Sequence, residues 1–416
     1  MSKLTDAVVI GAGHNGLVAA NVLADAGWSV RVVEAEDEPG GAVRSGELIE
    51  PGFVHDRYSA FFPLGAASPV FGALELDVPW RHGPLVLAHP ALDGSCPVLE
   101  RDGGDERWRR IEPAILRGLV TPFPQVRSAL RLALEPGALF VFASPQDRIR
   151  MGNALHTDCP PRSLAGRVFG VILTELGRRY GFPCVEGGAG TIARLLTERA
   201  LARGVELRLG ERADRIPTAR RAVIAACDVW ELGRLTGRPS RVERDPATVK
   251  VDWTLDGAIP WRTEAARRSP VVHLGDERSF VLFGQYSMAD PTRAPEGKET
   301  AWAYSHVLTD AEAIQAQVEL HAPGFGALVR GRRVEELPPG RINLGTAKLR
   351  NELFLRPFHG RPAAAPGLYL GSASAHPGGA VHGAPGFIAA QAALRSWSRR
   401  RARGLASFTI SSKTTT

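Results

Sequence analysis

One stretch near the start of the chain, residues 6–44, constrains the fold more than any other. It opens with a short apolar run, Ala7 to Ile10, which suits a strand buried on both faces. An alanine-rich helix, Asn15 to Ala26, follows, and the run from Ser29 to Val33 is typical of a second strand. Strand, helix and strand in this order predict a Rossmann-like βαβ unit.

The turn between the first strand and the helix carries the chemistry of this unit. Gly11, Gly13 and Gly16 have the spacing G-x-G-x-x-G. In such a turn the first glycine allows a tight bend, the second lets the backbone approach a pyrophosphate, and the third lets the helix lie close to the strand. Glu34 follows Gly16 by 18 residues, at the end of the second strand, where an acid accepts hydrogen bonds from an adenosine ribose. The segment therefore predicts a dinucleotide-binding site.

A second glycine segment, residues 38–44, bears on the choice between NAD and FAD. It reads E-P-G-G-A-V-R, in which Gly40 and Gly41 let a second loop pass close to the pyrophosphate and Arg44 adds a fixed positive charge. This segment resembles the Gly-Gly motif of two-dinucleotide-binding-domain flavoproteins, whose first nucleotide site holds FAD. The resemblance implies FAD as the cofactor. No second G-x-G-x-x-G is present to indicate a separate NAD(P) domain.

Further segments are similar to the phytoene desaturase-like branch of the FAD-dependent amine oxidase superfamily. They include residues 51–56, which read P-G-F-V-H-D, and residues 367–386, where a strand leads through small residues into a helix. The resemblance implies an α/β chain with a Rossmann-like FAD-binding domain and a discontinuous α+β substrate domain that contains an antiparallel sheet. We expect the FAD-binding domain in residues 1–60, 182–230 and 340–403, the substrate domain in residues 61–181 and 231–339, and a flexible tail in residues 404–416.

The motifs and the resemblance together predict a set of cofactor-binding residues. Most lie in the two glycine segments and in the loop before the last helix, whose N-terminus would face the cofactor. The predicted residues are Gly11, Gly13, His14, Asn15, Gly16, Glu34, Ala35, Gly40, Gly41, Ala42, Arg44, Asp56, Arg212, Ala213, Ser372, Gly379, Ala380, Val381, His382 and Gly383. For Asp56 the alternative is that it braces its own loop.

Alternation of apolar and polar residues over the stretch 249–307 predicts the antiparallel sheet of the substrate domain. The period of two places Trp302, Tyr304 and His306 on one face. In the family such a sheet covers the substrate cavity over the flavin. The earlier insertion, residues 61–181, reads as mostly helical.

The family resemblance implies transfer of a hydride from a C–H bond to flavin N5, with loss of a proton from a neighbouring atom and formation of a C=C or C=N bond. The candidates for contact with the reacting group are His55, Tyr304, Arg356 and His382. Because no triad-like spacing singles any of them out, a purely structural role is the alternative for each.

Three functions remain open from the sequence. The first is a dehydrogenase or desaturase of a small hydrophobic or natural-product substrate, reoxidised by oxygen or a quinone. The second is an amine oxidase that yields an imine and hydrogen peroxide, which a lysine near the flavin would favour; Lys348 is the lysine in a suitable segment. The third is a redox-neutral flavoprotein, such as an isomerase or cyclase, or a binding protein that retains FAD without turnover.

Composition bears on partners and compartment. The net charge is +7 and the pI is near 9.6, but the arginines are scattered and no nucleic-acid motif occurs, so we expect no nucleic-acid partner. The four cysteines are far apart, which predicts neither a metal site nor disulfides and favours a reducing cytoplasm. We expect no signal peptide and no transmembrane helix. Five arginines between residues 395 and 403 suit peripheral contact with an anionic membrane, and the alternative is an ordinary solvated helix end.

Overall fold

The structure of the protein is a computed structural model that describes residues 4–121, 147–348 and 365–403, together with residues 127, 128, 130, 134, 135, 141 and 142. The strands are β1 Ala7–Ile10, β2 Val30–Val33, β3 Ser45–Gly46, β4 His55–Asp56, β5 Trp80–Arg81, β6 Leu87–Ala88, β7 Val98–Leu99, β8 Cys184–Val185, β9 Glu206–Arg208, β10 Ala222–Ala225, β11 Thr248–Leu255, β12 Val271–Leu274, β13 Val281–Gln285, β14 Glu299–Ser305, β15 Val329–Leu337 and β16 Leu368–Leu370. The helices are α1 His14–Asp25, α2 Pro63–Ala66, α3 Pro69–Ala73, α4 Glu106–Leu119, α5 Arg148–Ala154, α6 Leu164–Tyr180, α7 Gly190–Ala202, α8 Val229–Thr236, α9 Glu264–Arg267, α10 Ala311–His321, α11 Phe325–Leu328 and α12 Ala384–Ala402, with a 3₁₀ turn at Pro291–Arg293.

The first sheet has five strands in the order β16-β10-β1-β2-β9, and its pairs are parallel. All four residues of β1 are buried, because helices cover both faces of the sheet. Ala7 and Val9 pack with residues of α1, α7 and α12, whereas Val8 and Ile10 pack on the opposite face with residues of α8. This arrangement explains why the strand reads as a continuous apolar run without alternation.

The second sheet has seven strands in the order β15-β11-β14-β13-β12-β6-β7. Its pairs are antiparallel except that β12 and β6 are parallel. One face is apolar: Val251, Trp253 and Phe283 belong to a core cluster that includes Ile314 and Val318 of α10. The other face carries polar and aromatic side chains and is called the polar face below. In β11 and β14 it presents Lys250, Asp252, Thr254, Trp302 and Tyr304.

Local signals fix the ends of several helices. Ser163 accepts a hydrogen bond from Gly166 N at 3.2 Å and so caps the start of α6, and Gly181 ends that helix with a φ of 73°. Asp228 accepts from Glu231 N at 2.7 Å and caps α8.

Two parts of the fold differ from the sequence-based expectation. The insertion, for which mostly helical structure is expected, also contains the short strands β5, β6 and β7, and β6 and β7 extend the second sheet. The strand β15 was not predicted; it reads V-R-G-R-R-V-E-E-L and forms the edge of the second sheet beside β11. These segments become strands through pairing with distant parts of the chain, which local pattern does not reveal. None of the helices in the described ranges is both long and apolar enough to cross a membrane.

Candidate functional site

The first glycine turn closes as its spacing predicts. Gly11 has a φ of 101°, and a Cβ atom there would lie 3.3 Å from the carbonyl carbon and oxygen of Ala226. A Cβ atom on Gly16 would overlap the carbonyl oxygen of Gly11, so α1 starts directly against the turn. Gly13 differs from both, since a Cβ there would meet nothing closer than the Cα of Gly41 at 3.9 Å. The backbone at Gly13 is therefore open on one side, as close approach of a phosphate requires.

The second glycine segment lies beside the first. Gly40 N donates to Ala12 O at 2.9 Å, and Gly40 pairs with Gly13 in a parallel bridge. Arg44 Nε donates to Gly41 O at 3.1 Å, and Arg44 Nη1 lies 3.3 Å from Glu38 Oε1. A cleft of about 270 Å³ opens between this segment and the start of α7. Two loops that are 27 residues apart in sequence thus form one backbone surface, with a guanidinium group at its edge.

Glu34 lies at the C-terminal end of β2, where the ribose-binding acid is expected. Its Oε2 accepts from Ala12 N at 2.6 Å and its Oε1 accepts from Glu36 N at 3.0 Å. The carboxylate is half-buried and each oxygen keeps a second lone pair, so it can accept further hydrogen bonds from hydroxyl groups. Ala35, which follows it, is exposed.

A second helix N-terminus meets that of α1. Residues 379–383 lead into α12, and a Cβ atom on Gly386 would overlap the carbonyl oxygen of Asn15. Two helices therefore present their N-terminal N–H groups and positive dipole ends to the same region, which favours an anionic group there. Ala380 in the connecting loop has a φ of 82°, a strained value for a residue with a Cβ atom. Val381 and Gly383 are buried beside it.

Two buried histidines belong to this region. His382 Nδ1 accepts from Ala384 N at 3.1 Å, so its Nε2–H donates to Gly379 O at 3.1 Å, and the ring is held in one neutral tautomer. Burial lowers the pKa of His382 to about 4. Burial, and then the proximity of His382, lowers the pKa of His14 to about 3. Both rings are therefore neutral near pH 7 and add no positive charge.

The residues in this region fit a bound dinucleotide. His14 Nε2 and Asn15 Oδ1 are buried polar atoms with no hydrogen-bond partner among the described residues. Such atoms are costly unless a ligand or water satisfies them. Both lie in the first turn of α1, beside the open backbone of Gly13. We conclude that the predicted pyrophosphate region combines open backbone, converging helix N-termini and unsatisfied side-chain atoms.

Asp56 is placed differently from the other predicted cofactor-binding residues. It is buried, and its Oδ1 accepts from Ser45 Oγ at 2.7 Å and from Ala189 N at 2.8 Å. Its Oδ2 accepts from Tyr286 OH at 2.9 Å and lies 2.8 Å from Arg293 Nη2. With both oxygens engaged by protein donors, the geometry favours the bracing role. These contacts connect segments that border the first sheet to the second sheet.

The polar face brings together aromatic residues that the period of two had placed on one side. The rings of Trp302 and Tyr304 are stacked with centroids 5.9 Å apart, and the ring of His306 lies 5.1 Å from that of Tyr304. Tyr304 OH lies 3.5 Å from His156 Nδ1, and His156 Nε2 lies 2.9 Å from His273 Nε2. Burial raises the pKa of Tyr304, so its hydroxyl keeps its proton. A hydrogen-bonded row therefore runs from this hydroxyl into the interior.

The remaining predicted residues lie elsewhere. His55 is buried, and its two ring nitrogens lie 3.2 Å from the carbonyl oxygens of Phe53 and Trp253, so it braces the loop. Arg212 is exposed and lies 3.3 Å from Glu231, with Ala213 beside it. Ser372 is buried and accepts weakly from Ser374 N. Arg356 lies outside the described residues, as do residues 404–416. The side chains of His55, Tyr304 and His382 each bond to a different set of partners in the described structure, so these three candidates do not form one hydrogen-bonded group.

Sequence reasoning missed four residues that contact Asp56 or belong to the hydrogen-bonded row at Tyr304. His156 and His273 meet across 117 residues of sequence, and Arg293 reaches Asp56 from a turn. Lys250 is also buried, and its Nζ donates to Asp252 Oδ1 and to Asp56 O. The alternation in β11 was the available signal for Lys250, because it puts residues 250 and 302 on the same face.

Comparison with known proteins supports the dinucleotide-binding domain. Residues 9–74 match the family of NAD(P)-binding Rossmann-like domains. The chain is 24% identical to a pyridine nucleotide-disulfide oxidoreductase domain-containing protein 2 of Rattus norvegicus, over 94% of this chain and 93% of that protein. It is 35% identical to a limonene dehydrogenase component of Castellaniella defragrans, over 27% of this chain and 21% of that protein.

A solved structure extends the similarity to the whole fold. Cyclohexylamine oxidase from Brevibacterium oxydans superposes with a TM-score of 0.59 at 15% identity, over 96% of this chain and 100% of that one. The α/β fold with a Rossmann-like domain and a second sheet is thereby confirmed. At this level of identity the likeness concerns the fold.

Proposed function

We propose that the protein is an FAD-dependent oxidoreductase that dehydrogenates a small hydrophobic substrate and passes the electrons to oxygen or a quinone. The observation that carries this proposal is the convergence of the two glycine segments and two helix N-termini around unsatisfied atoms of His14 and Asn15. In this proposal Glu34 would accept hydrogen bonds from the adenosine ribose and Arg44 would add positive charge near the pyrophosphate. When bound, a flavin supplies the capacity to accept a hydride.

The polar face supplies the substrate side of the proposed site. Phe61 and Met288 are partly buried and pack with Trp302 and Tyr304 in one apolar cluster, and Phe61 lies 6.0 Å from Trp302 between ring centroids. Such a wall suits an apolar or flat substrate. The name of the Castellaniella defragrans relative, a limonene dehydrogenase component, agrees with a hydrophobic substrate for that protein. In this chain the Tyr304 hydroxyl, backed by His156, is the group that would orient a polar atom of the substrate.

A buried lysine favours the amine oxidase alternative, but it is not the lysine that the sequence suggested. Lys348, which the sequence suggested, is exposed and lies 3.4 Å from Glu243, so it is a surface residue. Lys250 is instead the buried lysine of the polar face. The shared fold with cyclohexylamine oxidase is compatible with this second function.

A glycine series tests the cofactor proposal. Gly13→Ala introduces a methyl group whose nearest protein neighbour lies 3.9 Å away, so we expect a folded protein that loses its flavin. Gly72→Ala, without a neighbour within 4 Å, is the matched control and should keep it. The readout is the flavin absorbance at about 450 nm in the purified protein, together with the unfolding temperature. Wild-type protein that is colourless and takes up no added FAD would refute the proposal.

Reoxidation of the reduced protein separates the candidate functions. Rapid recovery of the oxidised spectrum in air, with release of hydrogen peroxide, supports an oxidase. Slow recovery in air that a quinone accelerates supports the dehydrogenase. Turnover of a substrate with no change in the amount of either acceptor supports the redox-neutral alternative.

A further inference from the structure

A second cleft lies away from the two glycine segments, on the flank where β6 and β7 extend the second sheet. Its volume is about 330 Å³. Four separate parts of the chain form its wall: residues 82–86, residues 100–101, Phe182 and Arg268. A cleft of this size is large enough for a small organic molecule.

The charge of this wall is not neutralised by the protein. Arg101 and Arg268 line the cleft, and neither forms an ion pair with an acidic group in the described part of the chain. Other arginines do, for example Arg178 with Asp102 at 2.6 Å. Glu100 is the acidic residue on the wall, so the two guanidinium groups outweigh it. Both arginines are exposed, so water screens their mutual repulsion, but an anion bound in the cleft would be attracted by both.

His82 adds a polar group to the same wall. Burial, and then the positive charge of Arg101, lowers the pKa of its ring. A neutral imidazole has one N–H that can donate to an anion. The pKa of the His82 ring can therefore reveal whether an anion is bound, because an anion beside Arg101 would raise this pKa again.

The wall is held in position by close contacts. A Cβ atom on Gly83 would lie 2.6 Å from Pro270 Cδ, and one on Gly181 would lie 2.8 Å from His82 Nδ1. Leu85 N donates to Arg268 O at 3.1 Å, and Val86 N donates to Leu99 O at 3.0 Å. The backbone segments that carry the polar side chains of the wall are thus tied to the second sheet before any ligand arrives, which reduces the backbone entropy lost on binding.

We propose that this cleft is a binding site for a small organic anion with a carboxylate or phosphate group. The planar guanidinium groups of Arg101 and Arg268 suit two-oxygen contacts with either group. His82 provides a further donor, and the surface that a ligand would meet is mostly polar, so the charged head group would make most of the contacts. No residue of its wall belongs to the two glycine segments or to the loop before α12.

The experiment is titration of the full chain with phosphate and, separately, with succinate, followed by calorimetry and by the NMR signal of His82. We expect saturable binding of at least one of them, a rise in the pKa of His82, and weaker binding at high salt. The double variant Arg101→Gln/Arg268→Gln should bind roughly 10-fold more weakly or worse. Arg241→Gln, which changes an exposed arginine elsewhere, is the control and should bind like wild type.

Glu100→Gln keeps the test decisive should the double variant unfold. Removing the negative charge from the wall should tighten binding of the same anion. The anion with the higher affinity identifies the preferred head group. Absence of binding by both anions at millimolar concentration, or binding that none of the cleft variants alters, would overturn the proposal, because the anion would then bind elsewhere or not at all.

Discussion

The buried pair of Arg293 and Asp56 offers the sharpest test of how the two sheets are held together. Both side chains are fully buried, with Arg293 Nη2 2.8 Å from Asp56 Oδ2. Arg293 Nε donates to Val54 O at 3.1 Å, and its guanidinium carbon lies 3.9 Å from the centroid of the Tyr286 ring. Arg293→Met retains much of the apolar volume but removes the charge and these donors.

The expected loss of stability follows from the contacts that Asp56 keeps and from the charge that it retains. In Arg293→Met, Asp56 keeps the hydrogen bonds from Ser45, Ala189 N and Tyr286, but its charge is buried without a countercharge. Breaking a buried pair in this way costs about 3–5 kcal/mol. Since whole domains are stable by about 5–15 kcal/mol, the variant should lose a large share of its free energy of unfolding.

Urea unfolding followed by tryptophan fluorescence and circular dichroism measures the effect. Arg332→Met is the matched control, because Arg332 forms an exposed pair with Glu312 at 2.9 Å, and it should cost at most about 1 kcal/mol. Arg293 also lies 4.0 Å from the buried Asp290. Adding Asp56→Asn to Arg293→Met therefore removes the nearer of two carboxylate charges left without this partner and should restore part of the loss. Equal midpoints for Arg293→Met and Arg332→Met would show that the buried pair does not fix the two sheets, and the reasoning would be wrong.

Three further predictions concern the buried histidines, Gly386 and Asp228. Burial lowers the pKa of His89 and of His382 to about 4, below the ordinary 6.5, so the unfolded chain binds more protons between these values. The free energy of unfolding should have its highest value above pH 6.5. Between pH 6.5 and pH 4 each of these histidines should lower it by up to about 1.4 kcal/mol for every unit that the pH falls. A urea midpoint that does not change from pH 7.5 to 5 contradicts this prediction. The variant His89→Gln should show a smaller change of stability with pH than the wild type. Gly386→Ala should separate α12 from α1 and lower both stability and flavin content, whereas a gain in either would refute the close packing at Asn15. Asp228→Ala should cost about 1 kcal/mol of stability through loss of the α8 cap, with normal flavin content as the control reading.

The elements that the sequence predicts well are those with local causes. The first strand, the glycine turn and helix α1 agree with their predicted bounds to within about one residue, because glycine conformation and apolar runs act over a few positions. In the site, the adjacency of Gly13 and Gly40 also follows from local motifs.

The parts that escaped prediction depend on contacts between distant segments. The strand β15 is rich in charged residues and has little intrinsic strand preference, and it forms by pairing with β11, some 80 positions earlier. The row of Tyr304, His156 and His273 needs the turn after α5 and two strands to meet. No spacing along one sequence encodes such a meeting, so these histidines carried no signal of their own.

The contacts of Asp56 explain how the cofactor region and the polar face are kept in one arrangement. Ser45, which donates to Asp56, also accepts from Gly190 N at the start of α7 and follows Arg44 of the second glycine segment. Tyr286 and Arg293 reach the same carboxylate from the second sheet, and Lys250 donates to the backbone oxygen of Asp56. Apolar contacts alone would let the two sheets slide, because dispersion and burial are not directional. Directional bonds to one buried carboxylate exclude such sliding, so the distance between the glycine segments and Tyr304 is set by charge and hydrogen bonding.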